Sequence, residues 1–415
     1  MAVFQFLVLP GLIMTAIVGT VHLIFPAAAI FLFLAQARRP YRACVDAVEW
    51  LWLSGASALL ERCAGVNICT SGDDAPCRDR VVLIVLNHHC RLDWMFFWPI
   101  AHRLRLLSGG ALKIALKENL RRAPFFGWAM QAFLFIFLRR NDRDGDLARL
   151  RASAEHAAAH GDRYALLIFP EGTDLSPSNV KLAQTFAEQK GKAAYTHVLY
   201  PRAAGFCEAM SALGGALDAV YDVTIRYDNH PKVVASDDAR PNEGACLFHG
   251  HWPTHVHCHI ERVGVTTIVG NAMGGHGVPK DPLAITERSA AWLQEAWARK
   301  EARLAASASS SASSAASSSA SSAAATYSTA SSLSRPVATE QRGVLAFWAA
   351  LIAALAYALC YGFGAGVARL SWLYTIVGAY VLAALTKRAG LDGAEYAAFP
   401  AATVAPTSPQ REKQA

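Results

Sequence analysis

Residues 81–94 read VVLIVLNHHCRLDW, and this stretch decides the fold. Six consecutive apolar residues rich in β-branched side chains mark a strand buried on both faces. A polar turn follows, and the apolar stretch 93–106 then reads as a helix. Similar runs lie at 164–169 (YALLIF), 219–227 (AVYDVTIRY) and 255–261 (HVHCHIE), with helical stretches at 115–137 and 146–159 between them. Strands alternating with helices predict an α/β domain over 79–304, built on a mostly parallel sheet flanked by helices.

The rest of the chain has a different character. Of its 415 residues 53% are hydrophobic and 17% charged, against roughly 25% charged in an average soluble domain. Whole-length disorder is excluded, and a purely soluble protein does not fit. The charged, histidine-rich middle argues against a polytopic carrier. Residues 1–37 carry no charged side chain, and about 20 apolar residues span a bilayer. They predict an N-terminal membrane anchor, either one crossing kinked at Pro10 and Pro26 or a hairpin. Residues 38–78 hold an amphipathic, aromatic stretch at 44–63, read as an interfacial or a core helix, and a connection. The Ser/Ala tract 305–334 predicts a flexible linker. Residues 343–386 predict a transmembrane hairpin, and 389–415 a loose tail. Basic residues at 38, 39, 42, 335, 342, 387 and 388 flank these apolar segments and place the α/β domain on the cytosolic side. Nine cysteines without a CxxC pair agree with reduced thiols there. The net charge of +7 suits an anionic membrane surface or acidic substrates. No aromatic-plus-basic module points to nucleic acid.

Four segments carry chemistry. His88 and Asp93 stand five apart and would diverge by about 140° on one helix. They meet only if His88 lies on the turn and Asp93 on the first helical turn. A carboxylate there would fix the imidazole tautomer and stabilise the imidazolium. The segment FPEGTD at 169–174 turns after a strand, leaving Glu171 and the backbone at Gly172 at the sheet edge where α/β proteins bind ligands. GWAMQAFLFIFLRR at 127–140 ends in Arg139 and Arg140, cations suited to phosphate. VLYPRAAG at 198–205 is a loop holding Pro201 and Arg202. Lys113, Lys117, Arg121 and Arg122 read as a solvated basic helix face. His249, His251, His255, His257 and His259 raise a metal reading. DRDGD at 142–146 lacks the glycine and glutamate of an EF-hand and reads as a helix-capping loop.

In chain order these segments resemble the four blocks of the glycerolipid acyltransferases, which transfer acyl groups from acyl-CoA to lysophosphatidic acid or other lysophospholipids. NHHCRLDWMFFW, FGWAMQAFLFIF, FPEGTDLS and YPRAAGF are most similar to the lysocardiolipin and lysophosphatidylinositol acyltransferase-like branch, over roughly residues 38–300. The resemblance implies a glycerol-3-phosphate acyltransferase-like fold, with His88 as catalytic base and Asp93 orienting it. It implies that Arg140 contacts the acceptor phosphate and that Glu171 and Gly172 also bind the acceptor. Pro201 matches the fourth block, while Arg139 and Thr173 flank matched positions. It further implies acyl-CoA as co-substrate, a lysophospholipid acceptor, the lipid bilayer as partner, no cofactor and no metal. A multi-pass protein of the endoplasmic reticulum membrane follows by default. A thioester is already activated, and no G-x-S-x-G elbow occurs, so direct attack with His88 as base is expected. His89 and Cys90 leave a second imidazole and an acyl-enzyme route to be decided. Two other classes stand beside this one: a catalytically silent lipid-binding scaffold, and a metal-dependent hydrolase using the histidines of 249–259.

Overall fold

The computed structural model describes residues 4–189, 191, 194–234, 238–270, 281–316, 335–357 and 390–400. Seven strands form one sheet: β1 (Asn67–Gly72), β2 (Val81–Leu86), β3 (Leu112–Lys117), β4 (Ile136–Leu138), β5 (Tyr164–Ile168), β6 (Ala219–Asp228) and β7 (His255–Gly264). Their spatial order is β1-β7-β6-β2-β5-β3-β4. Neighbours are parallel except β6 with β7. The expected mostly parallel sheet is present.

Alternate residues of β2 enter two cores. Val82, Ile84 and Leu86 pack with helix Asp93–Arg103 and the N-terminal helices. Leu83 and Val85 pack with helices Arg143–His160, Ala203–Leu213 and Pro282–Ala316. Burial on both faces explains why the run is apolar without alternation.

The region 115–137 is not the continuous helix expected. It comprises the end of β3, a 3₁₀ turn at Glu118–Arg122, a short helix Phe126–Ala132 and the start of β4. Pro124 and the positive φ of Phe125 (61°) interrupt any helix there. The basic face read at 113–122 is accordingly absent. Lys113 is buried against Glu49 at 3.3 Å, and Arg121 pairs with Asp392 at 2.7 Å.

Two helices, Val8–Leu34 and Arg38–Cys63, are long and apolar enough to cross a membrane by length and composition. Half of the first apolar window and 61% of the second are buried against the rest of the protein. In the second helix Trp52 meets Trp98 edge-on at 5.2 Å and Phe126 at 5.9 Å. Helix Arg335–Tyr357 packs on it, with Trp348 Nε1 donating to the Leu51 carbonyl at 3.0 Å. The remainder of the hairpin expected at 343–386 lies outside the described residues. Helix Pro282–Ala316 enters the tract expected to be a linker; 317–334 are not described.

The tail is not loose throughout: Gly390–Ala398 is a helix docked on the domain. Glu395, fully buried, meets Arg42 at 3.1 Å and Arg38 at 3.7 Å. A buried carboxylate persists where cations pair with it, and these partners lie some 350 residues upstream.

A second buried pair braces the sheet. Lys300 is fully buried, with Nζ 2.5 Å from Asp222 Oδ1 and 5.1 Å from the Trp297 ring centroid. Lys300→Met leaves the buried Asp222 charge with Arg299, 3.7 Å away, as its one counter-ion among the described residues. It is expected to lower unfolding free energy by about 3–5 kcal/mol, measured by denaturant titration.

Candidate active site

β2 is flanked by β5 and β6, so their carboxyl ends meet at the sheet edge where α/β proteins bind ligands. Asn87 finishes β2. Its side-chain amide donates to the Ile225 carbonyl at 3.1 Å and accepts from the Ile225 N–H at 2.8 Å, imitating one more ladder step. His88 leaves the sheet from this fixed point, and Asp93 begins the following helix. His88 Nδ1 and Asp93 Oδ2 stand 2.9 Å apart. A carboxylate only accepts, so Nδ1 carries the proton and Nε2 is free to take one. Asp93 is fully buried and also accepts from Cys90 N at 3.0 Å, Cys90 Sγ at 3.2 Å and the Tyr227 hydroxyl at 2.6 Å. The turn-plus-helix geometry expected for His88 and Asp93 is therefore present.

The neighbours His89 and Cys90 do not share this role. The His89 ring packs on Tyr227 at 5.3 Å, and burial lowers its pKa. Burial, followed by the Asp93 charge, pushes the Cys90 thiol well above its ordinary value. A thiol in that setting stays protonated and is a poor nucleophile.

Glu171, on the turn after β5, is 2% exposed. Its Oε1 accepts from His88 N and from Trp297 Nε1, both at 3.1 Å, and its Oε2 from Leu199 N at 3.0 Å. Three donors cover this carboxylate. It ties the His88 turn to the 198–202 loop and to helix Pro282–Ala316. Its place is thus that of an anchor for the His88 turn. Burial pushes its pKa up to about 7 against the pull of the N–H donors and of His88. Gly172 follows with φ 73°, a conformation that favours glycine, and its N–H closes a turn on the Phe169 carbonyl at 3.0 Å.

Arg140 has φ 68° and is held there by Asp146, whose carboxylate accepts from Arg139 N at 2.8 Å and Arg140 N at 2.7 Å. Asp142 accepts from Gly145 N at 3.0 Å and caps helix Arg143–His160, the role read from DRDGD. Arg140, Arg143, Arg202 and Gly172 line one hollow of about 300 Å³. Burial and then the nearby Arg202 lower the Arg140 pKa, as expected where two cations share a site. Arg139 does not join them; its side chain lies 3.6 Å from Asp142.

A larger cavity, about 650 Å³, adjoins this hollow and shares Arg140 and Phe169 with it. His88, Thr173 and Asp174 stand on its wall, while Trp52, Trp98, Leu12 and Phe126 supply apolar surface. Pro201 is buried and sits on a third hollow. The spacing of residues gave no sign of Tyr227, Trp297 or Arg240. The last donates to the His89 carbonyl at 3.2 Å and to Asp174 at 2.6 Å, pinning the turn from above.

The histidines of β7 are otherwise engaged. His257 Nε2 lies 2.8 Å from Asp228, and His259 bridges Ser71 at 2.9 Å and Glu261 at 3.2 Å. Among the described residues no group of three or more His, Cys, Asp or Glu is arranged to hold a metal.

An imidazole oriented by a buried carboxylate, beside an arginine hollow and an apolar cavity, suits base-assisted group transfer to a substrate with an anionic head and a greasy tail. Comparison with known proteins shows the class of transfer. The Acyltransferase family profile matches residues 67–228. The chain is 34% identical over 295 residues to lysocardiolipin acyltransferase 1 of Danio rerio, spanning 71% of this chain and 68% of that one. It is 36% identical over 227 residues to the probable 1-acyl-sn-glycerol-3-phosphate acyltransferase 5 of Arabidopsis thaliana, spanning 55% and 57%. It is 29% identical over 266 residues to lysophosphatidylinositol acyltransferase 10 of Caenorhabditis elegans, spanning 63% and 62%. The protein belongs to the glycerolipid acyltransferase family and is an acyltransferase.

Trp297 offers a direct check on the anchor. Trp297→Phe keeps the ring and removes one donor from a buried carboxylate, a loss of about 1–3 kcal/mol. Donors to the charged form lower a pKa, so their removal raises Glu171 further. The stability lost in Trp297→Phe relative to the wild type is expected to grow as pH rises through about 7, where Glu171 ionises, as read from denaturant titrations at several pH values.

Proposed function

We propose that this acyltransferase moves the acyl group of acyl-CoA to the free hydroxyl of a lysoglycerophospholipid at a membrane surface. The observation that carries the reading is the His88–Asp93 pair, held at 2.9 Å, with His88 on the wall of the apolar cavity that adjoins the arginine hollow. The acyl chain occupies the apolar cavity. Arg140, with Gly172 beside it, receives the acceptor phosphate; Arg139, turned to Asp142, does not.

As the acceptor hydroxyl oxygen attacks the thioester carbonyl, His88 Nε2 takes its proton. Asp93 stabilises the imidazolium and keeps the ring in place. Collapse of the tetrahedral adduct breaks the carbon–sulfur bond, and His88 returns the proton to the CoA thiolate. Products are the diacyl lipid and free CoA, and the enzyme is regenerated. Glu171 holds the His88 turn rather than touching the reacting atoms.

The relatives are named for lysocardiolipin, lysophosphatidylinositol and 1-acylglycerol-3-phosphate, which share a phosphoglycerol. That shared unit is the acceptor feature proposed here. The apolar helices 8–34 and 38–63 and the C-terminal apolar run hold the enzyme to the endoplasmic reticulum membrane, with the α/β domain on the cytosolic face. A silent lipid-binding scaffold would have no use for an imidazole aligned by a buried carboxylate on the wall of an apolar cavity.

The test is a panel of lysophosphatidic acid, lysophosphatidylinositol and monolysocardiolipin, each incubated with purified protein and acyl-CoA. At least one is expected to become acylated. A protein that leaves all of them unacylated does not have this function.

A further inference from the structure

A third hollow, about 430 Å³, opens between helix Pro177–Gln189 and the 198–202 loop. It touches both compartments already described. Thr173 is common to it and the His88 cavity, and Arg202 is common to it and the arginine hollow. With the acyl chain assigned to the larger cavity and the acceptor phosphate to the arginine hollow, the third hollow is left without an assigned occupant.

We propose that this third hollow is the docking site for the nucleotide portion of the CoA thioester, an inference that rests on acyl-CoA being the donor. Its lining has the chemistry such a ligand requires. Phe186 and Tyr200 supply ring faces 6.4 Å apart in edge-to-face contact, and Tyr200 is stacked on Tyr195 at 4.5 Å. Phe186 is 45% exposed and Leu182 on the same helix 69%, so apolar surface lies open at the mouth. A purine ring covers such surface by stacking.

Two side-chain amides add hydrogen-bonding edges. Asn179 uses its Nδ2 on Thr173 Oγ1 and the Asp174 carbonyl, both at 2.9 Å. Gln294 uses its Nε2 on the Pro201 carbonyl at 3.3 Å. No hydrogen bond falls on the amide oxygens of either among the described residues, and both oxygens suit the exocyclic amino group of adenine. Arg202 gives the rim a cation for phosphate. With the nucleotide here, the pantetheine arm passes Thr173 and brings the thioester to His88.

The experiment uses the full chain and measures KM for acyl-CoA and for the lysolipid separately. Tyr200→Ala and Phe186→Leu are expected to raise KM for acyl-CoA about tenfold, the stacking contribution of one base. KM for the lysolipid should hold. Adenosine 3′,5′-bisphosphate should compete with acyl-CoA in the wild type and weaken in both variants. Phe186→Leu replaces an exposed side chain with another apolar one, which guards against a folding defect in the alanine variant. An unchanged KM for acyl-CoA overturns the assignment, as does a rise in lysolipid KM instead. So does a loss of binding to phosphatidylserine-containing vesicles without change in either KM, which would make Leu182 and Phe186 membrane contacts. Failure of the wild type to use acyl-CoA at all is a different result and removes the functional reading itself.

Discussion

His88→Ala is expected to reduce acyl transfer by about 100- to 10,000-fold while the protein stays folded. The chemical loss follows because no other group near Asp93 can take a proton from the acceptor. His89 packs on Tyr227, and burial disfavours its charged form. Cys90 is a buried thiol pushed away from ionisation. The fold survives because Asp93 keeps three donors, from Cys90 N, Cys90 Sγ and Tyr227. Asp93→Asn removes the charge that favours the imidazolium and is expected to cost a comparable factor. His89→Ala should stay within a few-fold of wild type. Steady-state rates with matched thermal unfolding curves check all three. A fully active His88→Ala, or an inactive but folded His89→Ala, moves the base to the other imidazole.

Glu171→Ala is expected to have the second large effect, on stability and activity together. It leaves His88 N, Leu199 N and Trp297 Nε1 without acceptors in a site shielded from water. Each such orphan costs about 1–3 kcal/mol, and partial relaxation brings the sum to about 3–5 kcal/mol. Glu171→Gln keeps the shape but turns one end into a donor facing a donor. It should be milder in stability and still depressed in kcat, because the His88 turn loses a fixed point. If Glu171 instead contacted the acceptor, Glu171→Gln would raise acceptor KM with little change in unfolding. Denaturant titration beside kinetics separates the two roles.

The sequence made the centre of the sheet legible. VVLIVL at 81–86 is apolar throughout because both faces of β2 are covered, and the turn after it must carry His88 to Asp93. Elsewhere the local signal failed for physical reasons. The stretch 115–137 joins the polar run KENLRR at 117–122 to a run, 125–137, whose one polar side chain is Gln131; periodicity in the latter cannot separate strand from helix, and the break at Pro124 and Phe125 decides it. β1, NICTSG, is an edge strand with too little apolar content to stand out. Arg202 lies in a visible motif, but its proximity to Arg140 comes from the fold. Trp297 serves Glu171 from 126 residues away. Glu395 serves Arg42 from 353 residues away. Partnerships of that length leave no spacing to read.

The central claim is direct transfer from acyl-CoA to a lysophospholipid hydroxyl, with His88 as base and no acyl-enzyme. Single-turnover thiol release tests it most directly. Excess purified enzyme is mixed first with acyl-CoA alone and then with the lysolipid. The account predicts no release of CoA until the lysolipid is added, and then one CoA for each acyl chain transferred. A stoichiometric burst of CoA before the lysolipid arrives, with the acyl group retained on the protein, would contradict it.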